Sequence, residues 1–187
     1  MDILTAFGLS ASAGLNAYIP LLVVALIARF TNLYQLTEPW NALESWWTIG
    51  ILLVLALVEF FADKIPAVNH INDIIQTLVR PTAGAILFAA STSVVSDLQP
   101  VLGLILGLFV AGSVHAVKTV AVRPAVTATT GGAGNVPVSV AEDIISTVLS
   151  VIAAVMPVII ATIMVLVTAL IVWWIWRRIN AGRIRKT

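Results

Sequence analysis

Long apolar stretches, parted by short clusters of Gly, Pro, Asn and charged residues, make up most of this chain. A run of roughly 18 or more apolar residues with few charges reads as a membrane span. The first such segment covers residues 3–28 and closes on Arg29. Part of it, Leu9-Ser10-Ala11-Ser12-Ala13-Gly14-Leu15-Asn16-Ala17-Tyr18-Ile19-Pro20, is small, polar and punctuated by proline. Such a stretch can break a helix, because Pro20 removes a backbone donor and crowds the preceding turn. Residues 30–45, with Tyr34, Glu38, Pro39, Trp40 and Glu44, suit an interfacial connection in which amphipathic rings sit at headgroup level. Trp46 and Trp47 then anchor a second span that reaches Phe61.

Over residues 63–80 the period changes to that of an amphipathic helix. Asn69, Asp73, Gln76 and Arg80 form a polar stripe opposite Val68, Ile71, Ile75 and Leu78, and Pro81 should end the helix. A third span covers residues 82–96, Asp97-Leu98-Gln99-Pro100 forms a turn, and a fourth span covers residues 101–117. Gly103, Gly107 and Ala111 recur there at four-residue spacing, a small-residue face for close helix packing. Residues 118–135 read as a loop rich in Thr, Gly and Ala. Residues 136–176 are almost continuously apolar, interrupted at Pro157, and a basic tail occupies residues 177–187. The pattern is that of an all-α, polytopic transmembrane helical bundle forming one domain. It has five to six spans, with short amphipathic or re-entrant helices.

Composition sharpens this picture. Of 187 residues, 60% are hydrophobic and 10% charged, where soluble proteins carry about a quarter charged. A net charge of +1 gives no reason to expect nucleic acid. The partner is the lipid bilayer, with a homo-oligomer or a larger membrane complex left open. The absence of cysteine excludes disulfides, thiolate chemistry and Cys-ligated metals. Asp2 is the only charge flanking the first segment, which lacks a basic n-region and is too long for a signal peptide, so it reads as a retained span.

The basic residues set an orientation. Lys64 with Arg80, Lys118 with Arg123, and the tail hold every Lys and Arg except Arg29, which places all three groups and the C-terminus in the cytoplasm. The region from Val138 to Trp176 must then cross twice. A single helix there would be about 55–60 Å long, against a hydrocarbon core of about 30 Å. Two passes meeting near Pro157 satisfy both constraints and give six crossings, with five as the alternative.

Two internal echoes run through the chain. Pro66 with Asp73-Ile74-Ile75-Gln76-Thr77 matches Pro137 with Asp143-Ile144-Ile145-Ser146-Thr147, and the preceding spans end in Ala62/Lys64 and Ala116/Lys118. The segment Ser10-Ala11-Ser12-Ala13-Gly14, followed by Asn16 and Pro20, is echoed by Thr127-Ala128-Thr129-Thr130-Gly131, followed by Asn135 and Pro137. Pseudo-repeats over about residues 47–96 and 101–176 would place a transport site between them.

The strings Gly8-Leu9-Ser10-Ala11-Ser12-Ala13-Gly14-Leu15-Asn16-Ala17-Tyr18-Ile19-Pro20, Glu59-Phe60-Phe61-Ala62-Asp63-Lys64-Ile65-Pro66 and Val122-Arg123-Pro124-Ala125-Val126-Thr127-Ala128-Thr129-Thr130-Gly131-Gly132 resemble a bacterial membrane family, domain of unknown function 4126. The resemblance spans nearly the whole chain. It implies a multi-pass protein of the bacterial inner membrane and carries no activity with it.

Candidate chemistry must therefore come from the residues. Glu59 follows an unbroken apolar stretch, and intramembrane carboxylates default to functional hypotheses. The plainer alternative pairs it with Lys64 or lets it reach the interface. Asp73 belongs either to a headgroup-facing stripe or, with Asp143 beside Glu142, to a shared cavity. His115 and His70 without cysteine make a poor metal site, and no cofactor is indicated. Ser10, Ser12, Asn16, Thr127, Thr129, Thr130 and Asn135 are either packing residues or the lining of a solute path. The path reading brings residues 10–20 and 127–137 together near mid-membrane, with Glu59 and Asp73 toward the cytoplasmic mouth. Three function classes follow: a small transporter or channel for a solute or ion, an accessory subunit packing through Gly103 and Gly107, and a lipid-headgroup enzyme using Glu59, Asp73 and His70. The last has no recognisable catalytic motif.

Overall fold

Asn16 decides the course of the first apolar segment. The computed structural model describes residues 3–92 and 100–184. In it the expected first span divides into α1 (Ile3–Leu15) and α2 (Tyr18–Phe30). The Asn16 side-chain oxygen accepts from the backbone N–H groups of Tyr18 at 3.1 Å and Ile19 at 3.0 Å. These are donors that a new helix start leaves without partners. Pro20 falls in the first turn of α2, where it has no intrahelical bond to break.

The two helices double back. Near the start of α1, the Thr5 hydroxyl donates to the Ala153 carbonyl at 3.2 Å; just beyond α2, the Tyr34 hydroxyl donates to the Ala154 carbonyl at 2.7 Å. A straight rod through both helices would hold its ends about 40 Å apart, so the pair returns to the end at which it began. Its arms, 13 residues each, are about 20 Å long and fall short of a hydrocarbon core of about 30 Å. The single first span expected from the sequence is thus corrected to a re-entrant hairpin with Asn16 at its tip.

Five longer rods surround it. After a 3₁₀ turn at Trp40–Glu44, α3 (Trp46–Ala62) leads away from the Trp-rich end and α4 (Pro66–Thr92) returns. Next α5 (Pro100–Val117) runs through a π-helical turn, Lys118–Val122, into α6 (Arg123–Thr130). Then α7 (Asn135–Val155) climbs back to the Trp-rich end. The chain breaks at Met156, and α8 (Pro157–Ile184) descends again, its Val167 lying beside a cleft shared with Lys118 and Ala141. Among the described residues there is no strand, and Ile71–Thr92, Pro100–Thr130 and Asn135–Val155 are long and apolar enough to cross a membrane. Residues 93–96 of the expected third span, the turn at Asp97, Asp2, Arg185 and Lys186 lie outside the described residues.

Two helix boundaries differ from expectation. Pro81 does not end α4, which continues to Thr92. An interior proline costs about 3 kcal/mol, and the packing beyond it outweighs that cost. Gly84 abuts α5 so closely that a Cβ there would strike Ala111 and lie 2.9 Å from the Gly107 carbonyl, and Ser10 donates to the Gly84 carbonyl at 2.8 Å. The expected loop over residues 118–135 is largely helical. The Thr119, Thr129 and Thr130 hydroxyls return to carbonyls one turn back, at 3.0, 2.8 and 2.7 Å, so these side chains do not compete with the helix. Pro124 sits in the first turn of α6, and Gly131 and Gly132, with φ of 62° and 92°, make the reversal into α7.

The bundle is apolar outside and polar within. On α4, Gln76 and Arg80 are buried, while Leu78 is 76% exposed and Ile71 and Ile75 are exposed beside it. On α3, Val54, Leu57, Val58 and Phe61 face outward and Glu59 faces inward. Water would penalise both arrangements, whereas a bilayer satisfies them. Gly103, Gly107 and Ala111 are buried along α5 against α4, where a Cβ on Gly107 would lie 2.7 Å from the Ala85 Cα.

Candidate functional site

The hairpin tip is where the charges gather. Asn16 is 1% exposed, and its amide donates to Asp143 Oδ1 at 3.0 Å while its oxygen caps α2. Lys64, just past α3, holds the other Asp143 oxygen at 3.0 Å. On the neighbouring side, Lys118 Nζ lies 3.3 Å from the Leu15 carbonyl at the end of α1 and 2.7 Å from Glu142 Oε2. A lysine at the carbonyl end of α1 complements the negative pole of that helix. The Lys118–Glu142 pair is close in distance but off the hydrogen-bonding direction, so Oε2 has a charge partner and no directed donor.

A second set of pairs joins the first. Arg80 and Glu59 are both fully buried, and Glu59 Oε1 accepts from Arg80 Nη2 at 2.9 Å and Nε at 3.3 Å. Asp63 Oδ2 lies 3.5 Å from Arg80, 3.4 Å from Arg123 and 4.0 Å from Lys118, while Asn72 donates to Oδ1 at 2.7 Å. Arg123, lodged just after the π turn, also donates to Asp73 at 2.8 Å. A π turn shifts the helix register, and such turns recur at functional sites; here it falls between Lys118 and Arg123, which both reach Asp63. Removing one member of so buried a pair would strand its partner in low dielectric, a loss of about 3–5 kcal/mol.

His115 closes the arrangement. Its Nδ1 lies 3.4 Å from Arg80 Nη1, which can only donate, and its Nε2 lies 3.2 Å from the Thr77 hydroxyl. Thr77 in turn donates to the Asp73 carbonyl at 2.8 Å. These partners assign a neutral ring with its proton on Nε2.

The sequence candidates separate into two groups. Ser10, Ser12, Asn16, Glu59, Asp73 and Asp143 lie along α1 or at the charged junction. The Ser12 hydroxyl is 2.9 Å from that of Ser146 and 2.6 Å from that of Ser150, and Ser146 donates to the Ser12 carbonyl at 3.1 Å. Thr127, Thr129, Thr130 and Asn135 do not join them as expected. Thr127, Thr129 and Thr130 are exposed, and the hairpin between α6 and α7 bonds to itself: Asn135 donates to Thr127 at 3.1 Å and the Gly134 N–H donates to Thr130 at 2.9 Å. The partners of residues 10–20 come instead from Gly84, Asp143, Ser146 and Ser150. Glu59 pairs with Arg80 rather than with Lys64. The side chains of Asn69 and His70 lie outside the described residues.

Asp63, Lys64, Arg80, Lys118, Arg123 and Glu142 belong to the site and were not counted in it from sequence. Four of them were read as orientation signals. Each of the two echoed aspartates is held by a base from the other part of the chain, Asp73 by Arg123 and Asp143 by Lys64. In both echoes the threonine four residues on bonds the aspartate carbonyl at 2.8 Å.

Fold and site together define a polytopic helical bundle of membrane type, with a re-entrant hairpin ending on an internal ion network. The chain belongs to the family Domain of unknown function (DUF4126), whose profile matches residues 3–177. No curated protein and no solved structure matches it.

Proposed function

We propose that this protein is a small transporter or channel-like protein for a small solute or ion, and that the junction at the hairpin tip is its working site. One observation carries the reading: a hairpin too short to cross the membrane ends on buried charges drawn from α3, α4, the π turn, α6 and α7. Irregular backbone at membrane depth is tolerated where protein or water shields it. Paired half-helix ends facing ionisable groups are the arrangement by which transporters hold solutes and coupling ions. The same end of the bundle carries the emerging C-terminal helix with its basic residues, which supports a cytoplasmic C-terminus in a bacterial inner membrane.

The competing classes fare less well. An accessory subunit would use the Gly103/Gly107 face, which α4 already covers. The lipid-headgroup enzyme draws support from the gathering of acids around His115, but each of those acids also meets a base. Flux in proteoliposomes separates them. Wild type should exceed empty vesicles for at least one ion or small metabolite, and Asp143→Asn should abolish most of that flux. Failure across ions, amino acids and small metabolites, or full flux in folded Asp143→Asn, would refute transport through this site. Turnover of bilayer lipid by the same vesicles would favour the enzyme.

A further inference from the structure

The junction holds one carboxylate more than it has bases. Glu59, Asp63, Asp73, Glu142 and Asp143 face Lys64, Arg80, Lys118 and Arg123, with His115 neutral. A net negative charge in so buried a place is costly, and one bound cation or proton removes it.

Local geometry says where it goes. Three carboxylates at the junction have an oxygen without a hydrogen-bond partner: Glu59 Oε2, Asp73 Oδ1 and Glu142 Oε2. Glu142 Oε2 already faces Lys118 at 2.7 Å, and Asp73, although its Oδ1 is buried, is the least desolvated of the three, with a side chain 22% exposed and Arg123 on its other oxygen at 2.8 Å. Glu59 has no such outlet, since its side chain is fully buried and both bonds from Arg80 fall on Oε1. One turn before Arg80 on α4, Gln76 is also buried and its Oε1 has no partner.

We propose that Glu59 Oε2 is a proton-binding site, with Gln76 Oε1 as an acceptor for the resulting hydroxyl; its role as the coupling site rests on the transport reading. A metal cation fits poorly, because it needs several ligating oxygens where Glu59 offers one, and no group of three His, Asp or Glu that could hold a metal occurs among the described residues. A proton needs only one oxygen and one acceptor. The step is a simple transfer: water-borne H⁺ joins the Glu59 carboxylate, which becomes a neutral acid. Arg80 then keeps Asp63, at 3.5 Å, as its charged partner. Asp63 also faces Arg123 and Lys118, so the proton on α3 is felt by the bases that pair with Asp73 and Glu142. Binding at Glu59 thereby redistributes the ion pairs between the two parts of the chain.

Infrared spectra of the full chain in lipid nanodiscs test this without any transport assay. Between about pH 9 and pH 6, carboxylates with ordinary pKa values near 4 stay ionised. A protonated-carboxyl stretch in that range, downshifted in D₂O and lost in Glu59→Gln, is the expected result. Its absence, or its persistence in Glu59→Gln, overturns the proposal. Should Glu59→Gln not fold, Gln76→Met serves instead: the stretch should move to higher frequency as its acceptor is lost, and an unmoved band overturns the assignment. A Glu59 band without flux sinks only the transporter, whereas flux without the band sinks only the proton site.

Discussion

The chain interrupts its apolar sequence with Ser, Thr, Gly and Asn at two places, around Asn16 and around Asn135, and the two end in different surroundings. Asn16 is buried and bonded to Asp143, which lies 127 residues away, whereas Asn135 bonds to Thr127, only eight residues away. Of the serines beside Asn16, Ser12 is met by Ser146 and Ser150 from α7 and Ser10 by the Gly84 carbonyl of α4; Thr129 and Thr130 beside Asn135 are exposed and return to their own helix. The difference is in who supplies the partner. A polar break that satisfies itself locally is a turn and can sit at a surface. One that needs partners from a distant helix organises the interior around it.

The largest expected effect contrasts the two asparagines directly. Asn16→Leu removes the cap on Tyr18 and Ile19 and takes the donor from Asp143 Oδ1, although Lys64 still holds Oδ2, and together these losses should cost about 2–4 kcal/mol. Asn135→Leu should stay within about 1 kcal/mol, as expected for a position away from such networks. Reversible unfolding in mixed micelles measures both. Equal losses would mean that the exposed hairpin is also held by the core, and the contrast would collapse.

A smaller effect is expected one turn earlier. Ser12→Ala deletes the hydroxyl that meets Ser146 and Ser150 and leaves those groups short of a partner, a loss of about 1–2 kcal/mol. Thr129→Ala should not measurably change stability, since it loses only a bond to its own helix on an exposed face. If Ser12→Ala proves neutral in the same unfolding assay, the serine ladder packs α1 on α7 by size alone.

How much of this could be read beforehand follows the same division. The spans of α3 and α5, the break at Pro157 and the candidacy of Asn16, Glu59, Asp73 and Asp143, which the structure brings to one junction, were legible, because apolar run length and isolated polar residues are local signals. The hairpin was not: one apolar segment of suitable length reads the same whether it crosses or returns, and Thr5 and Tyr34 reveal the fold only through Ala153 and Ala154. Pro81 misled for a related reason, since α4 continues beyond it packed against α5 and Ser10. Lys64, Arg80, Lys118 and Arg123 were taken as interfacial charges because the positive-inside rule counts bases without asking whether an acid meets them. Their balance was visible all along. Setting aside the tail, the connection bearing Arg29, Glu38 and Glu44, and the isolated Asp2 and Asp97, the remaining charges are five acids and four bases.

The gentlest perturbation compares access to water. The chain has no cysteine, so a single introduced thiol reports without background. Thr130→Cys replaces an exposed side chain beside the turn at Gly131, and Ser12→Cys replaces a buried one of similar size; neither should shift stability by more than about 1–2 kcal/mol. A membrane-impermeant maleimide should label Thr130→Cys quickly in native vesicles, and from the side on which the C-terminal tail is digested by protease, because α6 and α8 end at the same side of the bundle. Ser12→Cys should resist labelling until detergent denatures the protein. Comparable labelling of both in the folded state would mean that water reaches the serines of α1. The two interruptions would then line a common aqueous path after all, and their separation in this structure would represent only one of the states the protein visits.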